Sequence, residues 1–215
     1  AERVAARFSG PGQPYEGLVR AGKWNGFVRL VPEHLADPLR WRKPRRIFVN
    51  SMSDLFSESL SNEQIAAVFG VMAAAPQHTF QCLTKRPKRM LEWFRWVERR
   101  GEDGLSMFPY DDDAWRMRQM LSVMAMRNGV SMSRHQNHGG PWPLPNVWLG
   151  VSVEDQKTAD ERIPLLLECP AAVRWVSAEP LLGPVDLSPW LGEAGYESGG
   201  PQGWVSTGNG LDWLV

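Results

Sequence analysis

Apolar positions recur along the chain as short β-branched or aromatic runs, separated by stretches with helical spacing. Ile47–Asn50, Thr79–Leu83, Val147–Val153, Val173–Ala178 and Asp212–Val215 each read as a buried strand. Between the first two, Ser61 stands as an N-cap with Gln64 as its capping-box partner. Ile65, Val68, Phe69 and Met72 follow at i, i+3, i+4 and i+7, and Pro76 stops the pattern. Pro87 fits the first position of a second helix, whose apolar stripe is Met90, Trp93, Phe94 and Val97. Thr158 and Glu161 have capping-box spacing for a third, which Pro164 is expected to interrupt, with a restart at Leu165.

Strands that are apolar throughout and alternate with helices predict an α/β fold whose parallel strands are covered by helices. The expected architecture is a partial (β/α) TIM-like barrel in a single domain, residues 1–215. Residues 101–146 break the rhythm with an acidic "YDDDAW", a helix over Ala114–Arg127 and a Gly/Pro/His-rich loop, and read as an irregular insertion on the barrel. Residues 189–210 are Gly-rich and read as irregular. The opening "AERVAARF" is an uncapped helix, and "LDWLV" closes the chain inside a strand pattern, so an internal fragment truncated at both ends is expected.

Composition narrows the partners. Lys+Arg and Asp+Glu balance at 24 each, so the molecule as a whole offers no bulk attraction to nucleic acid or to a membrane surface. No apolar run approaches the roughly 20 residues that span a bilayer, and no signal peptide opens the chain. A cytoplasmic protein without a membrane partner is expected. Cys82 and Cys169 are far apart and lack metal-ligand spacing, which suits core packing. His135 and His138 stand three apart without a third ligand, so no metal site is expected; His34 and His78 read as structural.

In parallel α/β proteins the ligand site lies beyond the strand carboxyl ends. The residues found there are Asn50-Ser51-Met52-Ser53-Asp54, Thr84-Lys85-Arg86, Ser152-Val153-Glu154-Asp155 and Ser177-Ala178-Glu179-Pro180. By the period-two rule Gly150, Ser152 and Glu154 share a face, as do Trp175, Ser177 and Glu179. If those faces point inward, Glu154 and Glu179 stand near each other, with Lys85 and Arg86 as counter-charges. Such a group suits a zwitterionic ligand: carboxylates for an ammonium or ribose, cations for a carboxylate. Taken singly, Asp54, Thr84 and Asp155 also read as caps or turn formers.

Four segments, "LRWRKPRRIFVNSMSDLF", "APQHTFQCLTKRP", "LPNVWLGVSVEDQKTADERIPLLL" and "VRWVSAEPLLGPVDL", resemble in this order a phage-associated family of unknown function found in bacterial prophages. That family is similar to radical S-adenosylmethionine proteins with a partial (β/α) barrel. The resemblance implies S-adenosylmethionine and a [4Fe–4S] cluster as cofactors of the full-length protein. It places Ser51, Ser53 and Asp54 where that superfamily meets the methionine amino group. Lys85, Arg86, Ser152, Glu154 and Glu179 fall at the later strand ends, which meet the ribose and carboxylate. The cluster's cysteines are expected in a segment immediately before Ala1, and the Gly-Gly-Glu motif usual in radical enzymes is absent. As written, the chain is expected to hold no cluster and to perform no radical chemistry alone.

Two other functions remain open. One is a non-catalytic phage accessory protein that binds nucleic acid through the basic run Arg40, Arg42, Lys43, Arg45 and Arg46. The other is a metal-independent barrel enzyme with Glu154 or Glu179 as acid or base.

Overall fold

The computed structural model describes residues 2–13, 15–104, 113–130, 141–191 and 210–214. A short helix, Glu2–Arg7 (α1), is followed by a two-stranded hairpin of Val19–Arg20 (β1) and Lys23–Trp24 (β2). Two single-turn helices, Pro32–Leu35 (α2) and Asp37–Arg40 (α3), then lead into the main sheet. Arg46–Val49 (β3), Thr79–Thr84 (β4), Val147–Ser152 (β5) and Val173–Ser177 (β6) form four parallel strands in sequence order. The two residues of Trp213–Leu214 (β7) add a short fifth strand beside β6. The order is linear, so among the described residues the sheet is open and does not close into a TIM barrel.

Each parallel step requires a crossover, and these are helical. Asn62–Ala74 (α4) joins β3 to β4, Pro87–Gly104 (α5) and Asp113–Arg127 (α6) join β4 to β5, and Gln156–Leu167 (α7) joins β5 to β6. Right-handed crossovers that always advance in one direction place their helices on one face of the sheet. The burial agrees with this. Register partners share a face, which puts Ile47, Phe80 and Val147 in one row and Val49, Cys82 and Leu149 in the next. These merge with Phe69, Trp93, Phe94 and Ile163 from the helices in one core. The capping box of Ser61 and Gln64 starts α4 as its spacing predicts, and the α5 stripe from Met90 to Val97 is buried.

Segment 101–146 is more than an irregular insertion. It supplies α6, whose Met120, Leu121 and Met124 join the core. A Cβ on Gly70 of α4 would stand 2.2 Å from the Leu121 carbonyl oxygen, so glycine lets the two helices meet backbone to backbone. Residues 105–112, 131–140 and 192–209 lie outside the described residues, and with them His135, His138 and most of the 189–210 segment.

The other sheet face is partly open. Trp175 lies flat across β5, because a Cβ on Gly150 would be 2.4 Å from its ring. Phe48 meets Trp175 edge-on at 6.3 Å between ring centres. At the amino ends of the strands, Arg45 N–H donates to His78 Nδ1 at 3.2 Å, while Nε2 faces Pro38 O at 3.0 Å. Nε2 therefore carries the proton, and His78 is a structural histidine as its isolation suggested.

Candidate functional site

One strand order brings the carboxyl ends of β3, β4, β5 and β6 to a common rim. β3 gives way to Asn50 with φ 59°, the left-handed region that asparagine tolerates better than most residues. Ser53 N–H then donates to Asn50 O at 3.1 Å, closing a turn that leaves Ser51 and Ser53 exposed.

Asp54 fastens this turn to the end of β4. Its carboxylate accepts from Phe56 N–H at 2.9 Å, Thr84 Oγ1 at 2.8 Å, Lys85 N–H at 3.2 Å and Arg86 Nη1 at 2.9 Å. Thr84 Oγ1 in turn accepts from Arg86 N–H at 2.9 Å. The Asp54 oxygens are thus occupied within the protein, and the residue acts as a clasp between two loops.

Glu154 forms a second knot. Lys85 Nζ donates to its Oε1, and Arg162 Nη1 reaches its Oε2 at 3.0 Å and the Ser152 carbonyl at 2.7 Å. The Glu154 and Arg162 side chains are 11% and 18% exposed, but that of Lys85 is 55% exposed. Burial pushes the Glu154 carboxyl up. The Lys85 hydrogen bond and the Arg162 and Lys85 charges outweigh it and hold the group below the usual carboxylate range. Glu179 is exposed beyond β6 and precedes a cis Glu179–Pro180 bond. Among the described residues it makes no hydrogen bond or ion pair, and the Glu154 cluster does not include it.

The start of α7 differs from the expected Thr158–Glu161 box. Asp155 is the N-cap and accepts from Thr158 N–H at 2.8 Å, so Thr158 is the third helical residue. Its hydroxyl accepts from Glu154 N–H at 2.9 Å. Pro164 does not interrupt the helix, since it removes one backbone donor while Ala159, Ile163 and Leu166 hold the packed face on both sides of it.

A cavity of about 920 Å³ opens beside the first two loops. Ser51, Ser53, Asp54, Lys85, Arg86 and Ser152 all line it, whereas Glu154 and Glu179 do not. Its far wall comes from the N-terminal segment through Tyr15, Trp24, Phe27 and Arg29. Sequence reasoning missed this wall, which carries no motif, and it missed Arg162. A signal for Arg162 existed: it lies four residues beyond Thr158, hence on the helix face that looks back to the strand end.

The basic run leads into β3, whose first residue is Arg46, at the strand ends remote from this rim. Arg40 pairs with Asp37 at 3.2 Å, the Arg45 guanidinium stands 4.5 Å from the Trp41 ring centre, and Arg46 lies over Trp148; Arg42 and Lys43 are exposed. Cys82 and Cys169 are buried core thiols whose pKa values burial pushes up to about 12. Among the described residues no three His, Cys, Asp or Glu side chains converge as a metal site, and no helix is long and apolar enough to cross a membrane.

No curated protein and no solved structure matches the chain. A family of proteins of unknown function, DUF5131, matches residues 1–215, and the chain belongs to that family.

Proposed function

We propose that the chain is the S-adenosylmethionine-binding part of a radical-SAM-like, phage-associated enzyme, and that the ligand sits at the carboxyl ends of β3, β4 and β5. The observation that carries this reading is the cavity of about 920 Å³ on which Ser51, Ser53, Asp54, Lys85, Arg86 and Ser152 converge from three strand ends. Its size falls within the roughly 300–1,000 Å³ of small-molecule sites. The sequential strand order with helices on one face supports a section of a (β/α) barrel, whose ligands bind on this rim.

The residues divide the work by charge. The Ser51 and Ser53 hydroxyl oxygens accept from the methionine ammonium, and the exposed Lys85 and Arg86 cations meet its carboxylate. Ser152 serves a ribose hydroxyl. Asp54 keeps the two loops in register, because its oxygens are already occupied. An acid role for Glu154 is less well supported, since two cations favour its ionised form.

The test is a calorimetric titration of the chain with S-adenosylmethionine, repeated on Lys85→Ala and Arg86→Ala. Saturable binding that weakens about tenfold or more in each variant is expected. Absence of binding at millimolar ligand, or variants that bind as tightly as the parent, would remove the reading.

A further inference from the structure

Eight large apolar side chains stand out of the described surface, and only two of them, Phe27 and Phe48, line the cavity. They are 71% and 46% exposed and come from different elements, the N-terminal segment and β3. Phe48 rests edge-on against Trp175, which leaves its ring partly open.

Phe27 is exposed on a loop that is held. Asn25 N–H donates to Leu18 O at 3.0 Å, and Asn25 Nδ2 donates to Gly17 O at 2.7 Å. The Asn25 side-chain oxygen then accepts from Phe27 N–H at 3.0 Å, an Asx turn that sets where residue 27 stands. Trp24 and Tyr15 brace the same hairpin with a T-shaped contact at 5.7 Å. Burial of Phe27 contributes little to the fold, yet its backbone position is specified by three side-chain and main-chain bonds. A solvent-facing aromatic ring on a fixed loop at a cavity wall is suited to stacking on a planar ring.

Charge adds the second half of the chemistry. Arg29, two residues on, lines the same cavity and has no ion pair among the described residues. Across the cavity Lys85 is paired with Glu154, and Arg86 with Asp54, the one carboxylate in the lining. Arg29 is therefore the lining cation that no described carboxylate offsets, and a carboxylate held at Lys85 and Arg86 leaves it free for a second anionic group.

We infer that the N-terminal wall is a substrate subsite for a nucleotide: Phe27 stacks on a heteroaromatic base, and Arg29 pairs with a phosphate. Aromatic stacking gives affinity for any base, and a guanidinium gives the geometry that phosphate prefers. This rests on the reading of the cavity as a ligand site and adds a second ligand to it, whose class is a nucleoside monophosphate.

The experiment titrates the chain, and its Phe27→Ala and Arg29→Gln variants, separately with AMP, adenosine and S-adenosylmethionine. Unchanged urea midpoints confirm that both exposed substitutions leave the fold intact. Expected are saturable AMP binding, a roughly five- to hundredfold loss in Phe27→Ala, and a preference for AMP over adenosine that disappears in Arg29→Gln. AMP that fails to bind, or that binds both variants as it binds the parent, overturns the inference whatever S-adenosylmethionine does. AMP binding with these losses, but no binding of S-adenosylmethionine, sustains the inference and removes the cofactor reading. An S-adenosylmethionine isotherm unaffected by Phe27→Ala, beside one for AMP that is weakened, places the two ligands in separate parts of the cavity and sustains both.

Discussion

Arg162 Nη1 lies 3.0 Å from Glu154 Oε2, the carboxylate oxygen that Lys85 leaves free. The same nitrogen reaches the last carbonyl of β5, Ser152 O, at 2.7 Å. A largely buried guanidinium thus neutralises the glutamate from the helix side, while a half-exposed lysine approaches it from the solvent side. Glu154 would keep Arg162 as a counter-ion if Lys85 were removed.

Glu154→Gln is expected to cost about 2 kcal/mol in urea denaturation, the scale of hydrogen bonds to charged groups. The pH dependence has a definite direction. The folded carboxyl titrates below its usual value of 4.5, so its contribution is complete above that pH and is lost as pH falls through the lower folded value. The parent should lose more stability than Glu154→Gln between pH 5 and the acid limit. Parallel stability curves for the two proteins across that window would show the ion pair to be idle.

Asp54→Ala leaves two loops without their common acceptor, and a loss of about 2–4 kcal/mol is expected from the several charge-assisted bonds removed. Faster amide exchange at both Phe56 and Lys85 should accompany it. Protection lost at one loop alone would contradict the role of clasp.

Two glycines test close approach. Gly70→Ala gains about 1 kcal/mol of helix propensity, but its methyl would lie 2.2 Å from Leu121 O, a backbone atom. A net loss of about 1–3 kcal/mol is expected from forcing α4 and α6 apart. Gly150→Ala should displace the Trp175 ring from β5 and change its near-UV circular dichroism. A Gly70→Ala protein as stable as the parent would mean that the helices separate freely.

The two thiols offer a chemical check. With burial pushing both up to about 12, Cys82 and Cys169 should resist a thiol reagent at pH 8 in the folded protein and react together on unfolding. Rapid labelling of either one in native buffer would show that the core opens locally there.

The main sheet was legible because its strands are rich in apolar and β-branched residues and α4 and α5 carry full helical stripes, whereas the two-residue strands β1 and β2 carry no such signal. All five strand positions fall within a residue or two of the expected ones. The site was legible only at its strand-end half, where fold geometry says which loops to read. Asp54 shows the limit: its residue type could not distinguish a turn former from a ligand-binding group, and its contacts make it a link to β4 thirty residues away. Arg162 was missed although its spacing from Thr158 pointed back to the strand end, because its partner Glu154 lies outside the helix, one residue before the Asp155 cap. Phe27 was missed because an exposed phenylalanine has no pattern. The cap of α7 was misplaced because Asp155 and Thr158 are both good cap residues, and the bond from Thr158 N–H to Asp155 decides between them.

β3 stands at the end of the strand order, and its Ile47, Phe48 and Val49 also line the cavity. An edge strand offers its backbone groups to any other strand that can reach them. A molecule seated against that wall would therefore stand between this chain and the β3 edge of a second copy. Any ligand held in the cavity and any strand added at that edge would thus share β3.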